Sequence, residues 1–126
     1  MAAGPEGLKY TKSHEWVSVD GVNATVGITD HAQEELGDVA LVLLPEVGRV
    51  LQADEKLGEI ESIKAVSDLY APVSGEVVEV NGSLTTSPES VNDDAYGKGW
   101  MIKIKMSNPA ELDGLLDLAA YTALLD

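Results

Sequence analysis

Asp20-Gly21 sits between two runs of alternating character, Trp16 to Asp20 and Val22 to Ile28. An aspartate–glycine pair in that position predicts a β-hairpin through a type I′ turn, because glycine accepts a positive φ without penalty. In the second run Val22, Ala24, Val26 and Ile28 share one face, as the two-residue period of a strand requires. Trp100 to Met106 repeats the theme, with Trp100, Ile102, Ile104 and Met106 facing in and Lys103 and Lys105 facing out. Val39 to Leu44 is apolar on both faces. It fits either a fully buried strand or one with an apolar outer face. Gly48 to Leu51 and Glu76 to Val80 add short strands. Leu57 to Tyr70 reads as one long strand, since Ile63-Lys64-Ala65 contains none of the usual turn formers. Asn81 to Gly99, rich in Ser, Thr, Pro, Asn, Asp and Gly, reads mostly as loop.

Two helices complete the pattern. Asp30 is placed to cap a short one near 30–36, with Gln33 three residues on, Ala32, Leu36 and Val39 on its apolar side and Gly37 as its stop. A longer C-terminal helix is expected near 109–124. Asn108 would cap it, Pro109 suits its first position, and Glu111 suits the positive end of its dipole. Leu112, Leu115, Leu116, Ala119, Ala120, Ala123 and Leu124 follow helical spacing, which predicts a stripe docked on the sheet. Short strands with helical trim make the fold mainly β, a sandwich or flattened barrel. The 126 residues suit one domain over 8–126, preceded by a flexible stretch 1–7 rich in glycine.

Composition narrows the function. With 22 acids against 8 bases the net charge is −14, so phosphate backbones and anionic lipid surfaces are disfavoured partners. The same charge serves solubility, and it can steer the chain toward basic patches on other proteins. Cysteine is absent, so any sulfur chemistry must arrive on an attached group. The longest apolar run, Val39 to Leu44, has six residues, well short of the roughly 18 of a membrane span. Met1 to Gly7 resembles neither a signal peptide nor a transit peptide, which points to a bacterial protein or a matured organellar one. His14 and His31 accompany no metal-ligand pattern and read as structural. No phosphate loop or nucleophile elbow supports an independent enzyme.

Lys64 looks ordinary by itself. Gly48-Arg49-Val50 and Gly75-Glu76-Val77 flank it as a faint internal echo. Its surroundings do not look ordinary. The segment from Glu61 through Ser62-Ile63-Lys64-Ala65-Val66-Ser67-Asp68-Leu69-Tyr70 to Ala71-Pro72-Val73-Ser74-Gly75-Glu76-Val77 resembles the lipoylation motif of glycine cleavage H proteins. Ser13-His14-Glu15-Trp16, Gly27-Ile28-Thr29-Asp30-His31-Ala32-Gln33, Leu44-Pro45-Glu46-Val47-Gly48 and Gly99-Trp100 match the same family in its order and spacing. The resemblance runs from about Leu8 to Leu125. It departs at Leu41 and Leu43, where the family usually carries an aromatic and a polar residue.

That resemblance implies a barrel-sandwich hybrid whose two pseudo-symmetric halves meet at a hairpin presenting the lysine. It implies a carrier, not an enzyme, acting as a monomer with lipoate amide-linked to Lys64. The aminomethyl group of glycine would pass from a pyridoxal-phosphate-dependent glycine decarboxylase to an aminomethyltransferase, and electrons would pass to dihydrolipoyl dehydrogenase. Ser13, Glu15 and Asp68 match the positions that hold the loaded arm in a cleft, and Glu61 matches an acid that helps lipoylating enzymes choose their lysine. The expected location is the cytoplasm of a bacterium, or the mitochondrial matrix for a matured eukaryotic protein. An H-like protein relaying lipoate to other enzymes is the alternative. A biotin carrier fits less well because Ile63 and Ala65 stand where methionines are usual, and a lipoyl domain of a 2-oxoacid dehydrogenase usually has aspartate before the lysine.

Overall fold

The computed structural model describes residues 4–125. Among the described residues nine strands form two antiparallel sheets. In chain order they are β1 (Lys9–Tyr10), β2 (Glu15–Asp20), β3 (Asn23–Ile28), β4 (Val39–Leu43), β5 (Val50–Leu51), β6 (Lys56–Ser62), β7 (Val66–Tyr70), β8 (Gly75–Val80) and β9 (Ile102–Met106). The larger sheet has the order β1-β2-β3-β9-β8-β5 and the smaller β4-β6-β7. The inner faces of the two sheets meet in one core. Val17, Ala24, Val26, Val77, Ile102 and Ile104 come from the larger sheet, and Val39, Val42, Leu57, Ile60 and Leu69 from the smaller. Each buried valine, leucine or isoleucine among them contributes about 1.5–3 kcal/mol. This is the barrel-sandwich arrangement expected from the sequence.

The first hairpin differs in detail from the type I′ expectation. Asp20 pairs with Asn23, so the two loop residues are Gly21 and Val22. Only Gly21, at φ 64°, is left-handed, which is the type II′ pattern with glycine leading. A valine would resist the second positive φ that type I′ demands. The strand Val39–Leu43 follows the second of its two readings: Val39 and Val42 are buried, and Leu41 and Leu43 are exposed.

The helices were legible in outline and wrong at their ends. The first, α1 (Asp30–Leu36), begins at Thr29, not Asp30. The Thr29 hydroxyl accepts from the Ala32 N–H, and Asp30 falls in the first turn. Two single-turn helices, α2 (Ser83–Thr86) and α3 (Ser90–Asp93), interrupt the expected loop. The expected helix over 109–124 is two pieces. A 3-10 turn spans Pro109–Gly114 without a side-chain cap from Asn108, and Leu115 is extended. Leu116 then exchanges two 2.8 Å backbone hydrogen bonds with Tyr10. A new helix, α4 (Leu118–Leu125), follows, and the Asp117 carboxylate accepts from the Ala120 N–H at 2.8 Å. Gly114 favours the break, and the bridge to β1 compensates for it. The expected stripe docks only in its first part: Leu112, Leu115 and Leu116 are partly buried against the core, whereas Ala119, Ala120, Ala123 and Leu124 are exposed and Tyr121 is the buried residue of α4.

Of the stretch 1–7, residues 1–3 lie outside the described residues. Pro5 accepts a hydrogen bond from the Tyr10 hydroxyl. Within the described residues no helix is long and apolar enough to cross a membrane.

The smaller sheet owes its close strand approach to Gly58. A Cβ there would lie 2.1 Å from the Leu43 carbonyl oxygen. Gly58→Ala is expected to force β4 and β6 apart and to lower stability by about 2–3 kcal/mol, read as a fall in the thermal midpoint.

Candidate functional site

The long strand expected through Lys64 is a hairpin. Strands β6 and β7 pair from Lys56↔Tyr70 to Glu61↔Val66, and Ser62 to Ala65 turn the chain. Ser62 shapes this reversal. Its N–H donates to the Ala65 carbonyl at 2.8 Å, and its hydroxyl oxygen accepts from the N–H groups of Lys64 at 3.2 Å and Ala65 at 3.0 Å. A serine hydroxyl that mimics a backbone acceptor is a known turn device. The turn-forming residue lies one position before Ile63-Lys64-Ala65. Beyond Ile60 and Leu69 the hairpin buries nothing large: Ile63 is 76% exposed and Val66 60%. A contact from the Ile63 N–H to the Asp38 carbonyl, at 3.2 Å, steadies the tip. Lys64 is exposed, and its stem passes beside Gly37, where a Cβ would lie 3.4 Å from Lys64 Cε.

A cleft of about 310 Å³ opens beside the hairpin. One wall is the hairpin itself, from Ala65 to Leu69. Facing it are Ser13, His14 and Glu15 from the loop entering β2, and His31, Ala32, Glu35 and Leu36 from α1. Three of the acids and hydroxyls singled out in the sequence, Ser13, Glu15 and Asp68, thus line one cavity. Glu61 lies outside it, on β6 opposite Leu41 and Val66, just below the turn that carries Lys64.

Glu15 is the most constrained of these groups, at 1% exposure. Its Oε1 accepts from the hydroxyls of Thr11 and Ser13, each at 2.5 Å, and Oε2 accepts from the Tyr70 N–H at 3.3 Å. Burial pushes its carboxyl above the usual range, and the hydrogen bonds from Ser13, Thr11 and Tyr70 oppose that without cancelling it. Asp68 is half-exposed. Its Oδ1 lies 3.3 Å from Lys56 Nζ, and its Oδ2 accepts from the Tyr70 hydroxyl at 3.4 Å. Such an exposed pair contributes little to stability.

The two histidines are not isolated surface groups. His14 adopts a left-handed backbone, φ 71°, and its ring lies 4.7 Å from that of His31. His31 Nε2 approaches Glu35 Oε1 at 2.8 Å. Burial, followed by the neighbouring His31, holds His14 below the usual histidine range, against a smaller opposing pull from Glu35. The sequence offered no sign that these rings would meet, since 16 positions separate them along the chain.

A lysine held clear of a two-sheet body on a tight hairpin is the arrangement of the lipoyl- and biotinyl-type carrier domains. Comparison with known proteins narrows the class. Residues 8–126 match the family described as Glycine cleavage H-protein. The glycine cleavage system H protein of Symbiobacterium thermophilum is 59% identical over 123 residues, covering 98% of this chain and 96% of that one. Its counterpart from Rubrobacter xylanophilus is 62% identical over 112 residues, 89% of each. The crystal structure of a glycine cleavage system H protein from Mycobacterium marinum superposes with a TM-score of 0.87 at 40% identity, covering 95% of this chain and 97% of that one. The chain belongs to the glycine cleavage H-protein family, a family of lipoyl carriers.

The raised Glu15 carboxyl has a consequence for stability. A group that holds its proton more tightly when folded contributes stability that is fully present below its unfolded pKa, about 4.3. That contribution is lost as the pH rises through the folded value. The thermal midpoint of the native chain relative to Glu15→Gln is therefore expected to fall as the pH rises from about 4.3 through the raised folded value. A difference independent of pH would show that the buried carboxyl does not titrate as described.

Proposed function

We propose that this chain is the lipoyl-bearing shuttle of the glycine cleavage system, with lipoate joined as an amide to Lys64, and that it carries cargo without catalysing a reaction itself. The observation that carries this reading is the placement of Lys64 on an exposed hairpin directly beside a cleft floored by a buried carboxylate. When bound, lipoate supplies a disulfide that accepts the aminomethyl group of glycine and, once reduced, a dithiol to be reoxidised. The chain's own part is to present, hold and release. The Ser62 turn gives a modifying enzyme access to the Lys64 amine. Glu61, one pair below that turn, is placed to guide such an enzyme to this lysine.

The cleft suits the amino end of a loaded arm. Glu15, Asp68 and the Ser13 hydroxyl offer oxygen acceptors around one cavity, and a carboxylate and an ammonium form a charge-assisted hydrogen bond. Burial makes Glu15 resist ionisation when the cleft is empty. An incoming ammonium would supply the missing countercharge, so binding there would favour the ionised form of Glu15. Apolar walls from Ile28, Leu36, Ile60 and Leu69 limit water around the arm. A relay that only hands lipoate onward has no use for such an acidic cleft, so the geometry favours the glycine reaction over that alternative.

The partners implied are a pyridoxal-phosphate-dependent glycine decarboxylase, an aminomethyltransferase, dihydrolipoyl dehydrogenase and the lipoylating enzymes. A net charge of −14 supports docking on basic surfaces and a salt-sensitive association rate. The bacterial relatives support a bacterial cytoplasm as the place of action.

Expression with active lipoylation machinery and supplied lipoate, followed by intact mass and peptide mapping, tests the assignment. One lipoyl amide on Lys64 is expected, and Lys64→Arg is expected to fold normally and to remain unmodified. An unmodified Lys64, with a control domain lipoylated in the same cells, would overturn the reading.

A further inference from the structure

Tyr121 lies far from Lys64 in sequence and belongs to the short terminal helix α4. Its ring stacks on Tyr10 at 4.7 Å and 5° and is fully buried. Its hydroxyl has two partners, Thr29 Oγ1 at 2.7 Å and His14 Nδ1 at 2.8 Å. These two residues belong to the two segments that face the hairpin across the cleft. Thr29 caps α1, which carries His31, Ala32, Glu35 and Leu36. His14 sits between Ser13 and Glu15. A 3.0 Å bond from the Thr29 N–H to the His14 carbonyl already joins the backbones, and the Tyr121 hydroxyl joins the side chains.

The protons in this cluster can be assigned by satisfying every group. The Thr29 hydroxyl oxygen accepts from the Ala32 N–H, and directing its own proton to the Tyr121 oxygen gives that proton a partner. The Tyr121 proton then goes to His14 Nδ1, and the imidazole proton resides on Nε2. With neutral His14, this direction leaves no buried polar atom of the three without a partner. It also fixes the ring of a residue lining the cleft.

We infer that Tyr121 is a positioning residue for the arm cleft: its hydroxyl clamps the Ser13–Glu15 loop to the start of α1 and sets the His14 tautomer. This rests on the carrier reading above. Loss of the hydroxyl loosens the wall that holds Glu15 and admits water to the loaded arm. Hydrolysis there adds the oxygen of water to the methylene carbon as the carbon–sulfur and carbon–nitrogen bonds break. The free thiol, formaldehyde and ammonium are released.

The test uses the full-length lipoylated chain, with lipoylation at Lys64 first confirmed by mass. Tyr121→Phe keeps the ring stack and removes only the hydroxyl. It is expected to raise the rate of formaldehyde release from the loaded carrier about five- to tenfold, the scale of one lost buried hydrogen bond. The decarboxylase's KM for the carrier should stay unchanged. The ring-nitrogen shifts of His14 should also move in the unloaded chain, away from a single Nε2–H tautomer. Tyr10→Phe, which loses the neighbouring hydroxyl and its bond to Pro5, serves as the control and should leave both readouts in place. If Tyr121→Phe folds poorly, Thr29→Val removes the bond to Tyr121 together with the cap on α1; its release rate is then read on the folded fraction, with Thr29→Ser restoring the native rate. An unchanged release rate with unchanged His14 shifts overturns the proposal. So does an equal rise in Tyr10→Phe, which would reduce Tyr121 to a contribution to stability. Failure of the native chain to take lipoate on Lys64 is a separate result, and it would overturn the carrier reading together with the inference built on it.

Discussion

Apolar contact between two facing sheets is the interaction on which the rest of the molecule depends. Val26, Ile102 and Ile104 on one side meet Ile60, Leu69 and Val42 on the other, and the hairpin that carries Lys64 is an extension of that packed layer. Ile60 and Leu69 anchor its base. Past them the side chains turn outward, so the tip is held by backbone pairing, by Ser62 and by the bond from the Ile63 N–H to the Asp38 carbonyl. Rigidity at the base and exposure at the tip suit a carrier: the attachment point stays fixed on the body while its lysine stays open to other proteins.

Around that layer the site is assembled from pieces distant in sequence. The loop before β2, the helix after β3 and the hairpin β6–β7 meet only because β2 pairs with β3 and because β3 and β6 lie in opposing sheets. Glu15 shows the energetic cost of the arrangement. A carboxyl buried among two hydroxyls and one backbone N–H is well hydrogen-bonded yet poorly solvated. A cation beside it would relieve that cost, as it would for no exposed acid of this very acidic chain. Asp68, in contact with solvent and Lys56, is a weaker partner.

The C-terminal segment illustrates where local sequence rules fail. Apolar residues from Leu112 to Leu124 follow helical spacing, yet a two-bond bridge between Leu116 and Tyr10 outweighs continuation of the helix. The propensity of a few residues is worth tenths of a kilocalorie each, less than satisfying buried backbone groups of β1. The restart at Asp117-Leu118 carried its own cap signal, which the regular apolar pattern obscured. Thr29 ahead of Asp30 is a similar case: either side chain can cap, and the choice depended on which one the tertiary fold aimed at the helix.

Period-two patterning, the turn at Gly21 and the apolar inventory together determined that this chain would be a β-sandwich, because strand alternation leaves one face to bury. The motif around Lys64 marked the lysine by resemblance. Residue chemistry alone did not distinguish it from the other cations. Tertiary structure decided that Ser13, Glu15 and Asp68 share one cavity, that His14 and His31 touch, and that a tyrosine near the terminus fastens the cavity wall. Hydrogen bonds between residues 55, 92 and 107 positions apart depend on how sheets stack, and no local period or spacing encodes that.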